Sequence, residues 1–263
     1  MKPVKTETVT PTSRRYGWVP DLPDQRDHLF AVPAATAARL PASVDLRPKC
    51  PPVLDQGQLG SCTAHALANA HLYSQMAQPG GQDKLPSRLF VYWNERELEG
   101  TTDSDSGAQI RDGIKVLARL GAPPEPQWPY TPSKFATKPP EKAYLEALSH
   151  QVLTYQRVTQ GLSQLKGALA MRFPVVFGFS VYESFESEAV AKTGIVPLPG
   201  SSERVVGGHA VMAVGYDDAK EVFLVQNSWG PDWGQKGFFT LPYAYLASRD
   251  LATDFWTLRL VEE

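Results

Sequence analysis

The spacing of apolar residues along the chain changes near residue 150. Before that point they recur at helical intervals, as at Ile110, Ile114 and Leu117, which indicates amphipathic helices. After it, short runs of β-branched and aromatic residues indicate strands. A helical first half followed by a mostly antiparallel second half predicts an α+β fold with two lobes.

The individual elements follow from the same pattern, with glycine and proline at many of the boundaries. Helices are predicted at residues 62–76, 86–98, 110–120, 141–149 and 162–172. Strands are predicted at residues 152–158, 175–181, 210–216, 222–227, 238–241 and 255–260. We therefore expect a mainly helical lobe over residues 41–152 and a mainly antiparallel β lobe over residues 153–263.

Residues 1–40 have a different composition, rich in Pro, Thr, Ala and Asp. No amphipathic period runs through them, so an extended or loosely ordered segment is expected. One aromatic patch, at residues 16–20, together with Leu22 and Phe30, could dock onto a groove. The segment is therefore a candidate prosegment.

Composition narrows the classes of function. The 263 residues, 42% of them hydrophobic, are enough for one large domain or for two small ones that share a cleft. A net charge of -2 without a long basic run gives no support to a nucleic-acid partner. No apolar run is long enough for a membrane span, and the polar N-terminus lacks the core of a signal peptide, so a cytoplasmic location is the default expectation. Two cysteines exclude a disulfide scaffold.

Cys62 stands at the predicted start of the first helix, directly after Ser61. Ser61 is expected to cap that helix, and a thiol on the first turn lies at the positive end of the helix dipole, where its pKa falls. A lone cysteine at a helix start is more often a buried filler than a nucleophile. A partner base therefore has to be found.

The predicted hairpin supplies that base. Two strands flank a turn at residues 217–220, and a hairpin centred on Asp218 places His209 opposite Asn227. The amide of Asn227 would accept the ring N–H of His209 and fix its tautomer. With the thiol of Cys62, these side chains form a plausible nucleophile, base and orienting group.

Four sequence blocks carry a family resemblance: Ser-Val-Asp-Leu-Arg at 43–47, Gln-Gly-Gln-Leu-Gly-Ser-Cys at 56–62, His-Ala at 209–210 and Asn-Ser-Trp-Gly-Pro-Asp-Trp-Gly-Gln-Lys-Gly-Phe at 227–238. Together they resemble the papain-like cysteine peptidases (peptidase C1), in the order of that family, from about residue 41 to 245. The resemblance implies a helical lobe with a buried nucleophile helix, an antiparallel β-barrel-like lobe and an active-site cleft between them. Leu59 stands where many relatives carry a disulfide-bonded cysteine, a departure that suits bacterial members of the family.

The resemblance also implies catalytic roles. Cys62 would attack the scissile carbonyl, His209 would act as base and then as acid, and Asn227 would orient His209. Gln56 would donate its side-chain amide to the oxyanion, together with the backbone N–H of Cys62. Trp229 would cover the contact between His209 and Asn227. Gly107 and Ala108 are implied to lie where the family hydrogen-bonds the substrate backbone. Gly178 and Gly208 are implied to border the main specificity pocket, and Trp229 is implied to contact the substrate.

The function expected from these residues is that of a monomeric cysteine endopeptidase, which cleaves peptides or proteins through a thioester acyl-enzyme. No cofactor is expected. The rivals are a thiol acyltransferase or transpeptidase with the same fold, and a peptide-binding module that has lost activity. Residues 1–40 would either hold the enzyme latent by lying in the cleft or serve only as a structural strap.

Two short patterns resemble metal sites without completing one. Cys62 and His65 have a metal-like spacing, but no second pair of ligands exists. His65 and His71 are therefore expected to be packing or surface residues. The tract at residues 103–107 resembles part of a calcium loop but lacks its closing Glu, so it is expected to be a solvated loop. No metal is expected, and Cys50 is expected to be an unreactive thiol.

Overall fold

The computed structural model describes residues 14–261. Its helices are α1 (Ala34–Ala37), α2 (Cys62–Ala77), α3 (Arg88–Glu99), α4 (Ile110–Arg119), α5 (Glu141–Ala147), α6 (Leu162–Ala170), α7 (Glu188–Thr193) and α8 (Tyr243–Ala247). Its strands are β1 (Trp18–Val19), β2 (Leu29–Phe30), β3 (Ser43–Asp45), β4 (Ala108–Gln109), β5 (Val152–Val158), β6 (Val175–Tyr182), β7 (Val205–Asp217), β8 (Val222–Gln226), β9 (Phe238–Pro242) and β10 (Ala252–Val261). Single turns of 3₁₀-helix lie at Arg47–Lys49, Glu125–Gln127, Pro132–Lys134 and Glu183–Glu186.

Eight strands form one large sheet in the order β2-β5-β10-β6-β7-β8-β9, with β3 paired to β7 as well. Its pairs are antiparallel except for that between β2 and β5, which is parallel. Within the described chain the edge strands β2 and β9 do not pair with each other, so the sheet stays open. The α+β prediction is confirmed, and the barrel-like description of the β lobe holds only loosely.

Helix α2 lies at the centre of the molecule. Its residues 62–75 are all buried, and it packs against β7 and β10 of the sheet. Alanine at positions such as Ala64, Ala66 and Ala68 allows neighbouring backbones to approach closely on several faces. This packing brings the first residue of α2, Cys62, to the boundary between the helices and the sheet.

From residue 14 onward the N-terminal segment corresponds to the extended one of the two expected alternatives, because two short parts of it pair as strands. β1 runs parallel to β4, with Trp18 opposite Ala108, and β2 runs parallel to β5. Phe30 is 3% exposed and belongs to the core. The segment therefore contacts the helical part and the sheet. Residues 1–13 of the predicted segment lie outside the described residues.

A cluster of charged side chains anchors this segment to the body of the protein. Asp27 Oδ2 lies 2.7 Å from Arg111 Nη2 and 3.0 Å from Arg157 Nη1. Asp254 accepts the backbone N–H of Asp21 at 2.8 Å and pairs with Arg157 Nη2 at 3.0 Å. Burial, reinforced by the neighbouring charge of Asp254, raises the pKa of Asp21 to about 6. The segment is thus fastened by buried ionic contacts as well as by strand pairing.

Candidate active site

The sulfur of Cys62 lies against strand β7. Cys62 is 0% exposed, and its Sγ accepts the backbone N–H of Ala210 at 3.4 Å. Ala210 follows His209 directly in β7. The fold therefore brings the thiol at the start of α2 to within one peptide unit of the imidazole.

His209 and Asn227 are joined through their side chains. Asn227 Oδ1 accepts the backbone N–H of Ser228 at 2.8 Å, which fixes the orientation of the amide. The same oxygen lies 2.8 Å from His209 Nε2, so Nε2 carries the proton and donates. Nδ1 of His209 is buried without a hydrogen-bond partner among the described residues and is free to accept a proton. The Trp229 ring lies 5.1 Å from the imidazole at a tilt of 31° and covers the pair.

The strand register that predicts this contact is wrong in detail. The ladder between β7 and β8 pairs Asp217 with Val222 and ends at Met212 with Gln226. His209 lies beyond this paired stretch and is not the cross-strand partner of Asn227. The offset is already present at the first pair, because the turn at residues 218–221 is centred between Ala219 and Lys220 and not on Asp218. The irregularity between residues 213 and 215 reduces the offset by one residue without removing it. The side chains of His209 and Asn227 still meet across the end of the ladder.

Both polar atoms of the Gln56 side-chain amide are hydrogen-bonded. Its Oε1 accepts the hydroxyl proton of Ser228 at 2.6 Å. Its Nε2 donates to the carbonyl oxygen of Leu59 at 3.0 Å and to that of Arg15 at 3.2 Å. One amide N–H of Gln56 is therefore fixed beside the start of α2 and is occupied by a carbonyl group of the N-terminal segment.

Tyr130, which no sequence pattern identifies, hydrogen-bonds to the residues around the Gln56 amide. Its hydroxyl donates to the backbone carbonyl of Gln56 at 2.9 Å and lies 2.7 Å from Ser61 Oγ. Ser61 does not cap α2 with its side chain, so the predicted cap is wrong. Because Tyr130 lies in a proline-rich connection far from Ser61 in the chain, no sequence motif indicates this contact.

The N-terminal segment covers the site. The Tyr16 ring meets His209 edge-on at 5.9 Å and Trp229 at 6.0 Å, and its hydroxyl donates to Glu186 Oε1 at 2.7 Å. The carbonyl oxygen of Gly17 accepts the backbone N–H of Ala108 at 2.8 Å. The residues expected to bind substrate backbone thus bind the protein's own chain.

Trp18 fills the predicted specificity pocket. Its indole lies against Gly178 and Gly208, the glycines expected to border that pocket. Trp18 is 9% exposed, and its Nε1 donates to Asp254 Oδ2 at 3.1 Å. Gly107 lies beside the same segment, where an added Cβ would fall 2.2 Å from the carbonyl oxygen of Gly17. The structure therefore brings the predicted substrate-contact residues together around residues 16–18.

Exclusion of water sets the charge state of the covered site. Burial raises the pKa of Cys62 to about 11, although the backbone N–H groups of Ala210 and Gly17 act in the opposite direction. Burial also lowers the pKa of His209 to about 4. At neutral pH the covered site therefore holds a neutral thiol and a neutral imidazole. The lowered thiol pKa expected from the helix dipole is wrong for this state, because desolvation outweighs the dipole.

The remaining candidates are engaged elsewhere in the described residues. His65 Nδ1 lies 2.9 Å from the carbonyl oxygen of Ser61, and its Nε2 lies 3.2 Å from Arg88 Nη1. Cys50 donates its thiol to the carbonyl oxygen of Leu46 at 3.4 Å. Residues 14–261 contain no group of three or more metal-ligating side chains placed to hold an ion. Among the helices of the same range, none is long and apolar enough to cross a membrane.

Comparisons with known proteins agree with the arrangement of the side chains at this site. The model of the papain family of cysteine proteases matches residues 40–249. An uncharacterised peptidase C1-like protein of Acanthamoeba polyphaga mimivirus is 42% identical over 275 residues, covering 95% of this chain and 88% of the viral protein. The crystal structure of xylellain, a cysteine protease from Xylella fastidiosa, is 42% identical with a TM-score of 0.88, covering 93% of this chain and 95% of the other. Cathepsin B-like CP3 of Giardia intestinalis is 30% identical over 235 residues, covering 80% of this chain and 73% of that protein.

Proposed function

Because this chain belongs to the papain family of cysteine proteases, we propose that Cys62 is its nucleophile and that its own N-terminal segment holds it latent. The two-lobed papain-like fold and the thiol protease class are shown by the comparisons. The roles of individual residues and the latency are the proposal. It is carried by one observation: a carbonyl group of the segment occupies the Gln56 amide while the Cys62 thiol is completely covered.

The arrangement supports acyl transfer through a thioester. The Cys62 proton passes to His209 Nδ1, the nitrogen that is free because Nε2 donates to Asn227. The thiolate attacks the peptide carbonyl, and the resulting oxyanion accepts hydrogen bonds from Gln56 Nε2 and from the backbone N–H of Cys62. The imidazolium returns its proton to the leaving amine. Water then attacks the thioester with His209 as base, which releases the carboxylic acid and restores the thiol.

Latency follows from three contacts in the cleft. The carbonyl oxygen of Arg15 takes the place that an oxyanion would need at Gln56. The backbone N–H of Gly17 hydrogen-bonds to the Cys62 sulfur, so an amide group of the segment engages the thiol. Tyr16 closes the approach to His209. The segment therefore occupies the cleft.

The same segment also serves as a strap, through a different part. Residues 14–19 lie over the catalytic groups, whereas β2 extends the large sheet and Phe30 is buried in the core. Removal of residues 1–40 would take away both parts at once. Substitution of Tyr16 and Trp18 in the full-length chain separates latency from folding, because it leaves β2 in place.

The pH dependence of thiol labelling tests the covered state. In the full-length chain with Cys50 replaced by alanine, Cys62 is the single thiol. With a pKa of about 11, its alkylation by iodoacetamide should be slow at pH 7 and rise about tenfold for each pH unit up to pH 10. Adding Tyr16→Ala and Trp18→Ala should speed labelling at pH 7 and flatten the profile. Rapid, pH-independent labelling of the single-thiol protein with its segment intact would contradict latency.

The oxyanion role of Gln56 predicts a large loss of turnover. In the Tyr16→Ala/Trp18→Ala background, Gln56→Ala should lower kcat for a peptide substrate by about 10²–10³, because one donor to the tetrahedral intermediate is lost. Gln58, exposed in the same loop, is the matched control, and Gln58→Ala should leave kcat unchanged. Equal kcat values for the two variants would remove Gln56 from the mechanism.

Product analysis separates hydrolysis from its rivals. A peptidase gives free carboxylic acids from internal cleavage, whereas a transpeptidase gives a new amide when a primary amine is added. An inactive binding module shows neither product and no selective alkylation of Cys62. Internal hydrolysis in the presence of excess amine is the expected result.

A further inference from the structure

We propose that the pocket now filled by Trp18 selects substrates with an indole side chain, and that Asp254 is the residue that determines this specificity. The inference rests on the proposed function, because it takes this pocket to be part of the substrate cleft. In the covered state Trp18 is an intramolecular ligand of this pocket. Its side chain therefore indicates which kind of substrate side chain the pocket binds. Asp254 accepts the indole N–H, and the glycine walls fit the ring.

The shape of the pocket matches a large flat ring. An added Cβ at Gly178 would fall 1.9 Å from Trp18 Cε2, and one at Gly208 would fall 2.8 Å from Trp18 Cε3. Both distances are far inside van der Waals contact, so any larger residue on these walls would exclude the indole. The two glycines come from neighbouring strands, since Gly178 lies in β6 and Gly208 in β7. The room for an indole is therefore built into the sheet.

Asp254 supplies a polar group at a fixed point of this apolar pocket. It is 1% exposed and lies in β10 at an irregularity of the ladder, with φ at 57°. Its Oδ2 accepts two donors from the segment, Trp18 Nε1 at 3.1 Å and the backbone N–H of Asp21 at 2.8 Å. Departure of the segment would leave this buried oxygen without either donor. A substrate side chain that brings an N–H into the pocket replaces one of them, whereas a purely apolar side chain does not.

The charge next to Asp254 favours a neutral donor over a cation. Arg157 Nη2 stays beside Asp254 Oδ1 at 3.0 Å, because both residues belong to the body of the protein. Release of the segment as far as Asp21 removes one of the carboxylates beside Arg157, and its positive charge is then balanced by Asp254 and Asp27. A lysine or arginine side chain in the pocket would meet this guanidinium. An indole satisfies the acceptor without adding charge.

Full-length protein with Trp18→Ala tests the pocket directly. The substitution removes the indole and leaves space for a free ligand, as apolar cavities of this kind bind small aromatic molecules. Calorimetry compares indole with indene, which has the same shape but no N–H. Indole is expected to bind about tenfold more tightly, because only indole donates a hydrogen bond to the buried carboxyl group of Asp254.

Variants at Asp254 test whether this residue causes the preference for indole over indene. Gly accepts the positive φ and lacks an acceptor, so Trp18→Ala/Asp254→Gly should bind indole and indene equally. If that protein does not fold, Trp18→Ala/Asp254→Asn should show a reduced preference, because an amide oxygen is a weaker acceptor than a carboxylate. Equal binding of the two ligands to folded Trp18→Ala protein overturns the proposal. Binding of neither ligand, or an unchanged preference in both Asp254 variants, overturns it as well.

Peptide substrates link the pocket to turnover and separate the two proposals. In the Tyr16→Ala/Trp18→Ala protein, peptides with Trp, Phe, Leu or Arg at each of the two positions before the cleaved bond are compared. Trp at one of these positions should give at least about a fivefold higher kcat/KM than Phe, and Asp254→Asn should reduce that ratio. A higher kcat/KM for Arg than for Trp would overturn the indole assignment. Indole binding in a protein that hydrolyses no peptide would instead overturn the proposed function and leave the pocket intact.

Discussion

Replacement of Cys62 by alanine should abolish peptide hydrolysis, with a fall in kcat on the order of 10⁶, as for the loss of a nucleophile in other hydrolases. The comparison is made in the Tyr16→Ala/Trp18→Ala background, where the segment no longer covers the thiol. Without the sulfur, no thioester forms, and the remaining donors only bind the substrate. The measurement is the steady-state rate on a fluorogenic peptide.

Cys50 is the matched control for that experiment. It is half-buried, donates to Leu46, and burial raises its pKa to about 12, so it is a poor nucleophile. Cys50→Ala should therefore leave the rate unchanged. The Cys62→Ala protein could retain hydrolysis that disappears only when Cys50→Ala is added. That result would identify Cys50 as the nucleophile and refute the assignment of Cys62.

The second large effect is release of latency. The full-length Tyr16→Ala/Trp18→Ala protein should hydrolyse small peptides about 10²–10³ times faster than the unaltered chain. Truncation of one buried tryptophan in a packed site costs about 3–5 kcal/mol, and this loss weakens the docked state of the segment relative to the open state. The readout is kcat/KM on a peptide, together with circular dichroism to show that the fold is retained.

Leu22 provides a control on the same segment. It is 71% exposed, so Leu22→Ala should leave both the docking of the segment and the rate unchanged. Equal activity of the unaltered chain and the folded double variant would show that the segment does not limit access to Cys62. The segment would then be a strap alone.

The sequence predicts the contact between His209 and Asn227 better than it predicts the strand register that produces this contact. Local patterns locate β5 at its observed residues, and His209 and Asn227 do meet. The register between their strands was not predicted correctly, because it depends on the exact centre of the turn at residues 218–221 and on an irregular ladder between residues 213 and 215. Neither feature has a period or a motif. The short helices α7 and α8 were missed because they are single or nearly single turns.

Long-range contacts account for the other differences. The order of the N-terminal segment comes from partners more than 80 residues away, such as Ala108 for Trp18 and Arg157 for Leu29. The sequence of the segment shows only that it has no helical or strand periodicity of apolar residues. The raised pKa of Cys62 has the same origin, since the water is excluded by residues that are remote in the chain. Local sequence therefore identifies the reacting groups, and tertiary packing sets their charge.

The carboxyl group of Asp21 makes the docking of the N-terminal segment depend on pH. Its pKa of about 6 when docked exceeds the ordinary value of 3.8, so protonation favours the docked form. Its contribution to docking is complete below the ordinary value and is lost as the pH rises through 6. Among the charges that face it, Arg111 and Arg157 stay positive throughout this range, and Asp254 also has a raised pKa. Acidification should therefore strengthen this anchor, whereas His209, whose pKa is about 4 in the covered state against an ordinary value of 6.5, opposes docking as it becomes protonated. The two groups act in opposite directions between about pH 4 and 6, so the net response of the covered state to acid is smaller than either group alone would give.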